Sequence, residues 1–188
     1  MSDMNIFVLN EDPIIAAQEQ CDKHVVKMIV ESAQMLSTAH RMLDGVMDKR
    51  KSKSGKTMSK YWALSDGRED CLYKAVHMGH PCTVWTMESS SNYRWHYTHF
   101  VALCDEYTHR YGKVHMTDTK LRYVLQAIPK NIPNIDRTPF KLAMGSNPEC
   151  MLPDPVESYR KFYKTKQARF KMAWTKSKIP DWFLQINP

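Results

Sequence analysis

His24 and Glu31 stand seven residues apart in a stretch whose apolar residues recur at helical spacing. Seven residues make about two helical turns, so both side chains lie along one edge, beside Met28 and Met35. An imidazole and a carboxylate converging at the rim of a core form an acid–base pair able to move a proton. An edge of ordinary solvated polar residues is the alternative. Asp22 adds a second carboxylate and completes the catalytic candidates; Asp22 or Asp154 could stabilise a sugar cation.

A second set falls later in the chain. Asn92, His96, His99, Glu106 and Arg110 share one side of a helical pattern, opposite an apolar stripe of Tyr93, Tyr97, Phe100, Val101, Cys104, Tyr107 and Tyr111. A solvated helix face accounts for most of these polar residues. Trp95, at the margin, asks for a partner if exposed, and a nucleobase is one. Trp85 and Tyr93 are further stacking candidates, while Arg94, Arg110 and Lys113 suit an anionic leaving group such as pyrophosphate. Lys27, His80, Asn92, Tyr159 and Arg160 complete the substrate-binding set. His40 lies within an apolar stripe and reads as a hydrogen-bonded core histidine.

Metal and thiol chemistry find less support. Cys21-x-x-His24 and His77-x-x-His80-x-Cys82 do not match a familiar zinc spacing, so no metal and no cofactor is expected. The His-x-Glu and Pro-Cys-x-x-Cys signatures of zinc deaminases are absent. Cys82 follows His80-Pro81 near a helix start, where a thiolate is favoured; a buried structural cysteine is the alternative. Ser54-Gly55-Lys56-Thr57 lacks the upstream glycine of a phosphate loop. The five cysteines are odd in number, form no CxxC pair and follow no signal-peptide pattern, which predicts reduced thiols in a cytoplasm. No apolar run approaches the roughly 18 residues of a membrane span.

Helices must position these groups. Asp12-Pro13 is a cap followed by proline at the first helical position, predicting a short helix over 13–20. Val25, Val26, Ile29, Ala33, Leu36 and Leu43 predict a long helix over 22–43, stopped at Gly45. Further helices are predicted over 70–78, 81–88, 92–111 (ended by Gly112), from Thr117 or Asp118 to 128, and from Asp154-Pro155 onward. That last helix, if it runs on, aligns Val156, Tyr159, Tyr163, Phe170 and Trp174 on an inner face. Residues 5–9 are either a short strand or a buried extended arm. Residues 48–60 are basic and nearly free of core formers, predicting a mobile surface loop, either a phosphate-contacting arm or a solvated insertion. Residues 129–153, rich in Pro and Asn, are predicted to be irregular. The expectation is one all-α domain over 1–188.

With 188 residues, 43% of them hydrophobic, the chain can bury a core and is not disordered by composition. Its 27 Lys and Arg against 20 Asp and Glu leave a net charge of +7. That balance suits a polyanionic partner. Residues 156–178 alone carry eight Lys or Arg and one Glu.

Several segments are specific enough to compare. They are Asn-Ile-Phe-Val-Leu-Asn-Glu-Asp-Pro from Asn5, Cys-Asp-Lys-His-Val-Val-Lys-Met from Cys21, and His-Pro-Cys-Thr-Val-Trp from His80. Ser-Asn-Tyr-Arg-Trp from Ser91, Glu-Tyr-Thr-His-Arg-Tyr-Gly-Lys from Glu106 and Asp-Pro-Val-Glu-Ser-Tyr-Arg from Asp154 join them. Together they resemble a family of small proteins widespread in tailed bacteriophages, over nearly the whole chain except 48–60. That family is in turn similar to the helical, DNA-glycosylase-like proteins of phage thymine hypermodification. These include the amino acid:DNA transferases, also called α-glutamyl/putrescinyl thymine pyrophosphorylases.

The resemblance implies a DNA-glycosylase-like helical bundle in the host cytoplasm. Its partner would be double-stranded DNA with a flipped base, and its donor a small amine or amino acid. The implied reaction replaces the pyrophosphate on 5-hydroxymethyluracil with that amine. No catalytic motif of that group aligns residue by residue, so no role is carried over. A base-excision enzyme of the glycosylase type and a non-catalytic nucleic-acid-binding protein are the competing expectations.

Overall fold

The computed structural model describes residues 4–52 and 54–185. Helix α1 (Pro13–Gln18) starts as the Asp-Pro signal predicts, with the Asp12 carboxylate accepting from the amides of Ile14 and Ile15. Helix α2 (Asp22–Asp44) follows and ends at Gly45. Strands β1 (Val46–Lys51) and β2 (Met58–Ala63) come next, then a single turn, α3 (Arg68–Cys71). Helices α4 (Pro81–Glu88), α5 (Ser90–Tyr111) and α6 (Met116–Gln126) complete the first two-thirds of the chain. An irregular stretch with one 3₁₀ turn (Pro148–Cys150) leads to α7 (Pro155–Lys164), a 3₁₀ turn (Thr165–Ala168) and α8 (Asp181–Leu184).

The all-α expectation fails at β1 and β2. The chain is about 52% helical and carries a two-stranded antiparallel sheet, a mixed α/β architecture that is mostly helix. The hairpin replaces the predicted loop at 48–60, within which Lys53 lies outside the described residues. The register pairs Val46 with Ala63 and Lys51 with Met58. Gly55, at φ 71°, closes the turn by donating its amide to the Ser52 carbonyl at 2.8 Å. Both faces of β1 are exposed, so the apolar–polar alternation that betrays a strand was never in the sequence.

Helix α5 lies at the centre, packed against α1, α2, α4 and α6. One contiguous core joins these helices to α7 and to the arm at residues 4–9. That arm is not a strand. Its backbone groups are satisfied by side chains instead, as buried groups must be. Gln20 donates to the Ile6 carbonyl at 3.0 Å, Arg160 to the Leu9 carbonyl at 2.9 Å, and Asn5 Oδ1 accepts from the amides of Ile6 and Phe7.

Two further expectations are corrected. Between residues 72 and 79 the chain is irregular rather than helical, because Arg41, nearly fully buried, takes the carbonyls of Leu72 and Tyr73, and Thr38 pairs with Val76. Helix α7 stops at Lys164, so Trp174 reaches the core from a later segment, donating to the Glu19 carbonyl at 2.9 Å. Among the described residues no helix is long and apolar enough to cross a membrane.

Candidate functional site

A cleft of about 700 Å³ opens beside the middle of α2. Glu31 and Gln34, one turn apart on that helix, form one wall. His77, His80 and Pro81, on the irregular segment entering α4, form another. Residues 142–146 form a third, and Met4, Met151 and Phe162 add apolar surface. The size falls within the range that takes a small organic ligand.

Asn5 ties three parts of the site together. Its amide N–H donates to the Glu31 carboxylate at 3.1 Å, its side-chain amide donates to the Ala143 carbonyl at 2.9 Å, and its Oδ1 caps the turn at Phe7. Phe7 is buried at φ 56°, a left-handed conformation that costs a bulky residue roughly 1–3 kcal/mol. Lys27 pairs with Glu31 at 3.1 Å from one turn earlier. Tyr159 holds the third wall from beneath, donating to the Lys141 carbonyl at 2.7 Å and accepting from the Ala143 amide at 3.2 Å.

The two histidines of the cleft differ. His80 caps α4, its Nδ1 accepting from the Cys82 amide at 3.2 Å. Burial, then the neighbouring His77, lowers its pKa. The Nδ1 cap fixes the His80 ring as a brace of the wall. His77 is exposed on a loop at φ 49°. The reactive groups the cleft offers are therefore the Glu31 carboxylate and the His77 imidazole.

Of the predicted catalytic residues, only Glu31 lines this cleft. His24 is buried elsewhere on α2, stacked on Phe7 at 4.8 Å, with Nδ1 hydrogen-bonded to the Tyr163 hydroxyl at 2.7 Å. Burial, with the cations of Lys27, Lys166 and Arg169, pushes its pKa down to about 3, so it stays neutral and is a poor base. Asp22 accepts from Arg110 at 2.9 Å and from the amide and hydroxyl of Thr175, which makes it a clamp on the C-terminal segment.

The predicted polar face of α5 is not solvated. Asn92, His96, His99, Glu106 and Arg110 are all buried, because helices pack around α5 on both sides. Arg110 is saturated: Nε and Nη2 meet Glu106, Nη1 meets Asp22, and Nη2 also reaches the Gln18 carbonyl. No edge of its guanidinium is left for pyrophosphate. Asn92 holds Thr138 and the Trp85 carbonyl. Trp85, Tyr93 and Trp95 are buried and donate to the carbonyls of Thr138, Leu125 and Glu11. None of the three rings is a platform for a base. Tyr93 meets His40 at 2.8 Å, which confirms His40 as a satisfied core histidine. Arg160 is committed to Leu9, Glu157 and the Trp182 ring. Arg94 and Lys113 are exposed but do not line the cleft.

All five cysteines are free thiols. Burial pushes the Cys82 thiol up to about 11, and its sulfur lies 3.9 Å from the Tyr159 hydroxyl. It is neither an activated nucleophile nor a third ligand beside His77 and His80. Among the described residues no three of His, Cys, Asp and Glu gather as a metal site.

Sequence reasoning missed Asn5, Gln34 and the 142–146 wall as parts of the site. Gln34 stands one turn after Glu31, a legible signal. Asn5 and the wall carried none, since their roles arise from backbone contacts across more than 100 residues. Compared with family models, curated proteins and solved structures, the chain has no significant match.

Proposed function

We propose that this chain is an enzyme that modifies a base in DNA, with the Glu31–His77 cleft as its reaction chamber. The observation that carries the reading is Glu31, a carboxylate 6% exposed at the wall of a cleft of about 700 Å³ that also holds an accessible imidazole. A fixed carboxylate and an exposed imidazole are groups able to take and return a proton. The net charge of +7 and the resemblance to phage thymine-hypermodification proteins supply the polymer and the reaction class.

In that reaction the nitrogen of an amine or amino acid attacks the 5-methylene carbon of a pyrophosphorylated 5-hydroxymethyluracil. The carbon–oxygen bond breaks, pyrophosphate leaves with the electron pair, and the ammonium proton passes to Glu31. The base must leave the stack to reach the cleft. Free thiols fit the host cytoplasm, where such work takes place.

The test incubates the protein with pyrophosphorylated DNA and an amine donor, digests the DNA to nucleosides and weighs them. A heavier nucleoside that disappears with Glu31→Gln, in a variant of unchanged melting temperature, supports the proposal. Release of free base and an abasic site would assign a glycosylase instead. Unaltered nucleosides together with salt-sensitive binding would leave a binding protein.

A further inference from the structure

The β1–β2 hairpin is strongly basic for its size. Residues 46–63 hold six Lys or Arg and one Asp, a net charge of +5. Its two faces are unlike. On one, Arg50 and Tyr61 meet the body: Tyr61 donates to Glu69, Arg50 lies over the Tyr61 ring at 3.7 Å, and Arg50 reaches Glu69 at 3.5 Å. Arg41 completes this anchor, bonding Glu69 at 2.7 Å and the Trp62 carbonyl at 2.9 Å. The other face carries Lys49 opposite Lys60 and Lys51 opposite Met58, with Met47 in the same row.

Like charges directly opposite across an antiparallel pair repel. Among the described residues, none of the ammonium groups of Lys49, Lys51, Lys56 and Lys60 has a carboxylate partner. Lysines on a ribbon deter edge-to-edge aggregation, but that purpose does not require two of them in register. The arrangement becomes favourable when a polyanion lies against it.

We infer that the outward face of this hairpin docks B-form duplex DNA, with Lys49, Lys51, Lys56 and Lys60 on the phosphates of one major groove. Two six-residue strands span about 20 Å, and a two-stranded ribbon fits the roughly 12 Å major groove. The deep, narrow major groove of A-form RNA excludes side chains, which selects DNA. Met47 and Met58 bring apolar atoms to the groove on the same face as the lysines. The anchored face keeps the ribbon at a set angle to the body, so docking also sets which stretch of duplex faces the protein. This inference is independent of the chemistry assigned to the cleft.

The test measures binding of an unmodified 25-bp duplex by fluorescence anisotropy at several salt concentrations. Replacing Lys49 and Lys60 together by Ser removes two phosphate contacts. It should weaken binding by about tenfold or more at 0.1 M salt and reduce the log–log salt slope by about 2. Both side chains are exposed, so circular dichroism and melting temperature should be unchanged. Amides of 46–51 and 58–63 should gain hydrogen-exchange protection when duplex is added to the unsubstituted protein. An unaltered slope in the double variant overturns the inference. So does duplex RNA or anionic phospholipid vesicles binding more tightly than duplex DNA, or protection appearing only outside the hairpin. Because binding is read on DNA that cannot react, failure here leaves the base-modification reading standing, and failure of turnover leaves this one standing.

Discussion

Arg110 and Lys49 carry the same charge and meet opposite surroundings. Arg110 is buried among Glu106, Asp22 and the Gln18 carbonyl, every nitrogen occupied, and it clamps α2, α5 and the segment at Thr175 and Ser177 together. Arg41 does the same at the foot of the hairpin. Lys49 faces another lysine and water. A cation therefore says little about ligand binding until its partners are counted. The interior admits charge only where a counter-charge is already placed, while the hairpin accumulates charge that the protein itself does not neutralise.

Acid should break the interior rule most strongly. Burial holds the imidazoles of His24, His40 and His99 at pKa values of about 3, 4 and 4, against 6.5 for an ordinary histidine. Above pH 6.5 their contribution to stability is fully present. As pH falls from 6.5 toward 4, the unfolded chain takes up protons that the folded chain refuses, so stability falls. Melting temperature should drop continuously through that window, and His96, whose pKa burial also holds well below the ordinary value, adds to the loss. A flat profile between pH 7 and 5 would show that these rings are more open than their packing implies.

Arg110→Ala should cost about 3 kcal/mol in chemical denaturation, because it leaves Glu106 buried, and Asp22 half-buried, without a counter-charge. A cost below 1 kcal/mol would mean that the clamp is wet and the contrast with the hairpin is false. Gly45→Ala tests the junction between the two regions. A Cβ there would collide with the Arg41 carbonyl and stand 3.0 Å from the Ala63 carbonyl. The expected loss is about 1–3 kcal/mol, with limited proteolysis moving to the hairpin first. The smallest effect belongs to the lysines: Lys49→Ser with Lys60→Ser should leave stability unchanged or raise it by a few tenths of a kcal/mol, since a repulsive pair is relieved. A loss above 1 kcal/mol in the same denaturation assay would give those lysines a structural role.

Much of the fold was legible, and for local reasons. Asp12-Pro13, Asp154-Pro155 and Gly112 act through their own backbone, and they mark helix ends where they were read. The α2 and α4 patterns held because one apolar stripe, or one His-Pro start, suffices for each. The polar side of α5 misled for a different reason. A helix packed all round buries both sides, and its polar side then hydrogen-bonds inward, as Asn92 does to Thr138 and His99 to the Pro13 carbonyl. Residue type alone cannot separate that from a solvated face. The His24–Glu31 pairing was sound as helix geometry, yet Phe7 and Tyr163 closed over one of the two and left the other at a cleft.

The amino-acid sequence by itself determined helix starts such as those of α1 and α7, the basic balance and the placement of His24 and Glu31 two turns apart on α2, because each depends on neighbours within a turn or two, or on composition. Tertiary structure decided which of those two side chains reaches a cleft, which arginines are consumed, and that residues 46–63 fold as a ribbon. Those outcomes depend on contacts between segments up to about 150 residues apart, such as Arg160 on Leu9. Burial is a property of what packs against a residue, and no spacing along one chain segment encodes it.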